Sequence, residues 1–158
     1  MNISTKLNTS KIITTITALF LYLLLNSFGL PKETESYSLT VNVSHLRNSK
    51  GVVQFSIYNK DGTIPDEKFK KYYRQKKIKI TNKTATVTFY NLPKGTYAIN
   101  LLHDENKNGK VDKGWILPIE GLGFSNFKKL GLMNRPNFKK ASFQLNSNLT
   151  KTVKMIYM

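Results

Sequence analysis

"NLPKGTYAINLLH", residues 91–103, is the most informative stretch for the fold. Leu92, Gly95 and Tyr97 follow the pattern L-x-x-G-x-Y, in which a turn leads into a strand. An early tyrosine of such a strand can donate its hydroxyl back to the turn, as in the tyrosine corner of β-sandwiches. The stretch therefore predicts one corner of a Greek-key β-sandwich.

Alternating apolar and polar residues, which are typical of half-buried strands, flank this corner on both sides. Upstream, "YSLTVNVSHL" and "VVQFSIYN" are separated by "RNSKG", whose residues suit a hairpin turn. The other alternating stretches are 77–81, 85–92, 141–146 and 150–158, the last two predicting a closing hairpin. The predicted fold class is all-β, an antiparallel Greek-key β-sandwich of about seven strands.

Residues 65–77, "PDEKFKKYYRQKK", break the alternation and predict one short helical insertion. Pro65 and the two acidic residues after it suit the first turn of a helix. Phe69, Tyr72 and Tyr73 have helical spacing and are expected to anchor the helix to the sandwich.

A long segment rich in glycine, proline and asparagine follows, from Trp115 to Lys140. Loops of this length are uncommon unless they have a function or pack on the domain. Its apolar residues are expected to lie against the sandwich: Trp115, Ile116, Leu117, Ile119, Phe124 and Phe127.

The N-terminus has the pattern of a secretory signal peptide over residues 1–29. Lys6 and Lys11 precede the uncharged run 12–25, which is shorter than the roughly 20 residues of a membrane span. Cleavage near Gly29–Leu30 would leave a linker at 30–36 and a β-sandwich domain at 37–158, with no membrane span. An uncleaved N-terminal anchor is the alternative, and either way the domain is expected in the periplasm or outside the cell.

The formal net charge of +16 favours anionic partners such as envelope polymers or glycans. Aromatic residues interleave with the cations of "KFKKYYRQKKIK", an arrangement that could also serve nucleic acid. Export makes nucleic acid a poor candidate, and another exported protein is a further candidate partner. The competing interpretation is a biased composition, because the excess charge is nearly all lysine spread along the chain.

The polar loop 104–112, "DENKNGKVD", has the spacing of a calcium-binding loop. Calcium prefers carboxylate, amide and carbonyl oxygens, with a glycine where the backbone turns sharply. Read from Asp104 as position 1, the loop fits D-x-[DN]-x-[DN]-G but has Trp115 where an EF-hand has glutamate. The predicted ligands are Asp104, Asn106, Asn108, the carbonyl of Lys110, Asp112 and, if the chain folds back, Glu120.

The predicted cofactor is therefore calcium, held weakly, with a dissociation constant of about 10⁻⁴–10⁻³ M as in extracellular modules. The alternative is an Asx-rich turn that is held by side-chain to backbone hydrogen bonds and takes no metal.

No residue is assigned a catalytic role. His103 and the carboxylates beside it could support acid–base chemistry, but adjacent strand residues point to opposite faces. "GFSN" at 123–126 does not match the nucleophile motif G-x-S-x-G, and the chain has no cysteine. A buried structural histidine is favoured, and a hydrolase using His103 is the least favoured function.

Several stretches resemble, in order, the secreted bacterial family called domain of unknown function 2141. They are "LRNSKGVVQFSIYN", "LPKGTYAINLLHDENKNGKVD", "PIEGLGFSN", "RPNFKKASFQL" and the final "IYM". The resemblance implies an exported β-sandwich, similar to transthyretin-like or immunoglobulin-like domains, and it implies no activity. The shared positions are His103, Asp104, Asn106, Asn108, Gly109, Asp112, Glu120, Gly121, Gly123, Phe124 and Ser125.

The residues and the resemblance together predict an exported binding or structural module with a calcium loop at 104–112. The alternative is a cationic module that adheres to anionic envelope polymers or glycans.

Overall fold

The structure is a computed structural model that describes residues 9–26, 35–115, 117–131 and 133–158. The chain divides into two compact units, Met1–Thr34 and Glu35–Met158. The first contains helix α1, Thr9–Asn26. Within the described residues, no helix has both the length and the hydropathy that a membrane span requires. The expected cleavage site near Gly29–Leu30 and nearly all of the linker lie outside the described residues, so export stays a prediction.

The second unit is a β-sandwich. Its elements are β1 (Ser36–Ser44), β2 (Val52–Tyr58), β3 (Arg74–Lys79), β4 (Ala85–Pro93), β5 (Gly95–Asp104), β6 (Gly121–Phe124), α2 (Phe138–Ala141), β7 (Phe143–Leu145) and β8 (Leu149–Lys154). One sheet has the order β4-β1-β8, and the other has the order β3-β2-β5-β6 with β7 also paired to β5. The all-β sandwich prediction is confirmed, with one parallel pair, β1 with β8.

The two predicted hairpins are wrong. Strand β1 pairs with β4 and β8, whereas β2 pairs with β3 and β5 in the other sheet. At the C-terminus, β7 pairs with β5 and β8 pairs with β1. Period-two alternation shows that one face of a strand is buried, but both sheets bury a face in the same core. The pattern therefore does not show which strands are neighbours.

The predicted helix at 65–77 is also wrong, and the only short helix described in this unit is α2. Residues 65–73 form a loop, and the chain enters β3 at Arg74. The Asp66 carboxylate accepts hydrogen bonds from the backbone N–H of Lys71 at 2.7 Å and the hydroxyl of Tyr58 at 3.2 Å. An acidic side chain that bonds nearby backbone in this way competes with helix formation.

The aromatic residues of that loop separate into buried and exposed positions. Phe69 is buried with a positive φ of 48°, a backbone conformation that interrupts a helix. Tyr72 and Tyr73 are 41% and 39% exposed, so they do not anchor the loop in the core as expected.

The main core lies between the sheets and the second core lies on the outer face of the five-stranded sheet. The main core takes alternate residues of β1, β2, β4 and β5, among them Leu39, Val41, Phe55, Ile57, Phe89 and Leu101. The second contains Tyr58, Ile64, Ala98, Phe124, Phe127, Phe138 and Ala141. A sheet covered on both faces explains why every residue from Tyr97 to Asp104 is buried.

The long segment after Trp115 packs on the sandwich only in part. Phe124 and Phe127 are buried in the second core, as expected. Trp115, Leu117 and Ile119 are instead exposed, and Ile116 lies outside the described residues.

The tyrosine corner is confirmed. The Tyr97 hydroxyl donates to the carbonyl oxygen of Pro93 at 2.8 Å, and the residue is 2% exposed. Because phenylalanine keeps the ring and loses only this bond, Tyr97→Phe is expected to lower the free energy of unfolding by about 0.5–1.5 kcal/mol. Urea denaturation measures the loss. Tyr90→Phe, at a residue 62% exposed, is the control and should change stability little; equal losses in both variants would contradict the role of the corner.

Candidate metal-binding loop

The polar loop begins where β5 ends. Asp104 is the last residue of β5 and is fully buried, and it pairs with Val52 at the start of β2. Its carboxylate accepts the backbone N–H of Asn108 at 2.9 Å and that of Gly109 at 2.8 Å. Gly109 has a φ of +79°, which glycine adopts without strain. Asp104 therefore holds the loop in a tight turn.

The two predicted amide ligands meet the second predicted carboxylate. The side-chain N–H groups of Asn106 and Asn108 donate to Asp112, at 2.5 Å and 2.8 Å. Their amide oxygens accept backbone N–H groups, from Asn108 at 3.0 Å and from Lys110 at 2.9 Å. These contacts are those of an Asx-rich turn.

Glu120 lies against the loop, so the chain folds back here as its predicted role as a ligand requires. Its carboxylate oxygens accept the N–H of Glu105 at 2.9 Å and the N–H of Asp112 at 3.2 Å, and the residue is 4% exposed. Burial raises the pKa of Glu120, and the charges of Asp112 and Asp104 raise it further against the effect of the two backbone hydrogen bonds.

The loop and the residues after it carry acidic and basic side chains side by side: Asp104, Glu105, Asp112 and Glu120 with Lys107, Lys110 and Lys113. Among the residues that the structure describes, Asp104, Asp112 and Glu120 form no ion pair within 4 Å. The Lys77 ammonium lies close to the loop, 3.1 Å from the point where a Cβ on Gly109 would lie. A cation bound by these three carboxylates would therefore not have to displace an ion pair among the described residues.

The oxygen atoms available fit a hard cation better than zinc or another transition metal. Within the described part of the chain, no three His, Cys, Asp or Glu side chains are close enough to hold a metal on their own. A complete set would need amide and carbonyl oxygens, which calcium accepts. Asn106 and Asn108 would have to turn their amides so that oxygen rather than nitrogen faces Asp112.

His103 lies beside the loop but is not exposed to solvent. Its Nε2 is 2.9 Å from the carbonyl oxygen of Lys50 and its Nδ1 is 2.6 Å from the Tyr157 hydroxyl. A carbonyl can only accept, so Nε2 donates to Lys50, and in the tautomer without a proton on Nδ1 that atom accepts the Tyr157 hydroxyl. His103 therefore connects β5 to two other segments, as the structural interpretation predicts, and His45 is exposed at the end of β1.

Arg47 and Tyr157 brace the loop, although neither residue was predicted to belong to the site. The Arg47 guanidinium pairs with Glu105 at 2.6 Å, donates to the Ile119 carbonyl at 3.2 Å and lies 4.6 Å from the centre of the Tyr157 ring. Burial would raise the pKa of Glu105, but the hydrogen bonds from Arg47 and Asn48 and the Arg47 charge lower it overall. Arg47 thereby connects the start of the loop, at Glu105, to the residue before Glu120.

Residues 121–125, the G-L-G-F-S segment, make contacts that hold neighbouring segments together. Ser125 is buried, donates its hydroxyl to the Ala141 carbonyl at 2.5 Å and accepts the Ile99 N–H at 2.9 Å. A Cβ on Gly121 would lie 2.5 Å from the Tyr157 ring. These contacts give Ser125 a role as a bridge between segments.

The basic stretch lies at the edges of the two sheets. Arg74 donates to the carbonyls of Tyr90 and Asn91, at 2.6 Å and 3.1 Å, and Lys76 donates to Thr88 at 2.8 Å. These two cations thus connect β3 to β4 across the sandwich, while the other lysines of the stretch are exposed.

Comparison with known proteins identifies the family. The family model described as "Uncharacterized protein conserved in bacteria (DUF2141)" matches residues 41–153. Neither the curated proteins nor the solved structures gave a match. The matched range runs from β1 to β8 and includes the loop and the GFSN segment. The chain therefore belongs to the DUF2141 family.

Proposed function

We propose that this protein is an exported β-sandwich module whose 104–112 loop binds one calcium ion, with Glu120 as a further ligand. Asp104, Asp112 and Glu120 would supply negative charge, Asn106 and Asn108 amide oxygens, and Lys110 its backbone carbonyl. The ion would stabilise this end of the sandwich and present the loop as a binding or structural surface. The N-terminal pattern of a short basic region followed by an uncharged apolar run supports export.

One observation carries the proposal: three carboxylates and two side-chain amides lie in or against one loop, and the three carboxylates have no ion-pair partner in the described residues. Buried carboxylates are costly unless a positive charge or hydrogen bonds compensate them. Backbone N–H groups compensate part of this charge, and a divalent cation would compensate the rest.

A thermal melt of the full chain tests the proposal, first in EDTA and then in calcium. With a dissociation constant of about 10⁻⁴–10⁻³ M, about 5 mM calcium should stabilise the fold by roughly 1–2 kcal/mol. That gain corresponds to an increase of several degrees in melting temperature. Magnesium, which requires a stricter geometry, should give a smaller increase.

The matched variants are Asp112→Asn and Asp61→Asn. Asp112→Asn keeps the size of the side chain and removes one charge from the loop, so the calcium gain should disappear. Asp61 lies in an exposed turn, where it accepts the Gly62 N–H at 2.8 Å, and its variant should retain the gain. An unchanged gain in Asp112→Asn, or no gain in the unmodified protein, would refute the calcium site.

The alternative function, adhesion to anionic envelope polymers or glycans, has support of its own. Tyr73 is exposed beside Arg74 and Tyr90 beside Lys76, and Tyr72 is exposed as well. Exposed aromatic rings among cations can bind sugar rings and acidic groups together. Such binding would weaken steeply with salt and would not respond to calcium.

A further inference from the structure

A cavity lies on the outer face of the five-stranded sheet, where the 65–73 loop and the segment after β6 cover the strands. Its volume is about 650 Å³, within the range of about 300–1,000 Å³ that small-molecule sites occupy. Most of its lining is apolar and includes Val111, Leu117, Leu122, Phe124, Leu130 and Met158. A cavity with this lining can exclude water from a bound apolar group.

Two buried polar side chains line the same cavity. Asn100, from β5, is 2% exposed, and its Oδ1 has no hydrogen-bond partner among the described residues. Asp66 is 5% exposed, and its Oδ2 accepts the hydrogen bonds from Tyr58 and Lys71. Neither oxygen-bearing group pairs with a basic side chain in the described part of the chain. Buried polar atoms in proteins are normally hydrogen-bonded, so an unpaired acceptor calls for an explanation.

We propose that this cavity binds a small apolar molecule whose polar end donates hydrogen bonds, a hydroxyl or a protonated amine. The apolar body would contact the leucine and phenylalanine side chains, and the donor would satisfy Asn100 Oδ1 once a small rotation of that shielded side chain turned it to the cavity, which Asp66 also lines. A carboxylate end would place two negative groups together and would leave Asn100 without a donor. The exposed Arg135, which also lines the cavity, is the only described cation there that could favour a carboxylate instead.

The inference stands apart from calcium binding. Val111 belongs to the 104–112 loop and Leu117 lies after it, but the polar groups of the cavity come from β5 and the 65–73 loop. The test is therefore carried out in EDTA, so that its result does not depend on an occupied metal loop.

Isothermal titration of the full chain with 1-octanol, octylamine and octanoate, three molecules with one chain length, tests the proposal. Octanol or octylamine should bind at one molecule per chain, and octanoate should bind at least about tenfold more weakly. Preference for the alcohol would identify a neutral donor, and preference for the amine would identify a cation beside Asp66. Absence of binding by both donors, or tighter binding of octanoate, would overturn the proposal.

Three variants locate the site. Asn100→Leu removes the unpaired acceptor and should weaken binding of the preferred donor by about tenfold. Gln54→Leu is the matched control, because Gln54 is 1% exposed, has unpaired side-chain atoms on the neighbouring strand and does not line the cavity. Leu130→Trp adds a large ring at the wall and should abolish binding even if Asn100→Leu fails to fold. Binding that survives Leu130→Trp, or that changes equally in Gln54→Leu, would place the ligand elsewhere and overturn the assignment.

Discussion

Gly51→Ala is expected to lower the free energy of unfolding by roughly 3 kcal/mol. Gly51 has a φ of +70°, and an added Cβ would lie 2.0 Å from the carbonyl oxygen of Asp104 and 2.6 Å from the Cα of Glu105. Both contacts are with backbone at the start of the 104–112 loop, so a side-chain rotation cannot relieve them. The strand end would have to move, and the calcium response should weaken together with stability.

Gly62→Ala separates the two effects on stability, the steric clash of the added Cβ and the cost of a positive φ. Gly62 has a φ of +74°, close to that of Gly51, but a Cβ there would meet no atom within 4 Å. Its expected loss is only the cost of the left-handed conformation, about 1–2 kcal/mol. Guanidinium denaturation of both variants gives the comparison. Equal losses would show that the close approach of Gly51 to Asp104 does not control stability.

His103→Leu is expected to lower the free energy of unfolding by roughly 1–3 kcal/mol, because it removes both hydrogen bonds of a fully buried side chain, while the Tyr157 hydroxyl keeps the Arg47 N–H as a donor. The carbonyl of Lys50 would lose the Nε2 donor, and the Tyr157 hydroxyl would lose the Nδ1 acceptor. Leucine is close in size, so the loss would report hydrogen bonds more than packing. Denaturant unfolding monitored by circular dichroism measures it.

A double-mutant cycle with Tyr157→Phe tests whether the two residues act together. Because they share a hydrogen bond, the double variant should lose less stability than the sum of the single variants. The control is His45→Asn, since His45 is exposed and has a φ of 64°, which asparagine tolerates. Its effect should be within about 0.5 kcal/mol. Additive losses in the cycle would contradict the His103–Tyr157 contact.

The β-sandwich could be predicted from the sequence because apolar and polar residues alternate in its strands and because the tyrosine corner is a local contact. Tyr97 is four residues from its acceptor Pro93, so the corner could be recognised within one short stretch. The pairing of β1 with β8 joins residues more than one hundred positions apart, and no local pattern encodes it. The error at 65–77 has a related cause, because the spacing of the aromatic residues suited a helix. The bonds of Asp66 to Tyr58 and Lys71 determine the loop, and alternation cannot reveal them.

In the candidate site, too, local contacts could be predicted from the sequence and contacts between distant segments could not. The ligand spacing from Asp104 to Asp112 is local, and the structure brings these residues together. Arg47 and Tyr157 come from distant segments, and only folding places them at the loop. A different signal was present for the cavity: Asn100 interrupts the apolar run of β5, where a polar residue needs a partner.

A calcium titration of isotope-labelled protein, followed by amide NMR, tests the central claim most directly. The amides of Asn108, Gly109 and Asp112 donate to the carboxylates of the loop, so they report directly on any ion bound there. The proposed site predicts saturable shifts of these three signals, with a midpoint of about 10⁻⁴–10⁻³ M, and no shift in Asp112→Asn. Small, unsaturating shifts spread over the acidic surface would contradict a calcium site and leave the loop as an Asx-rich turn.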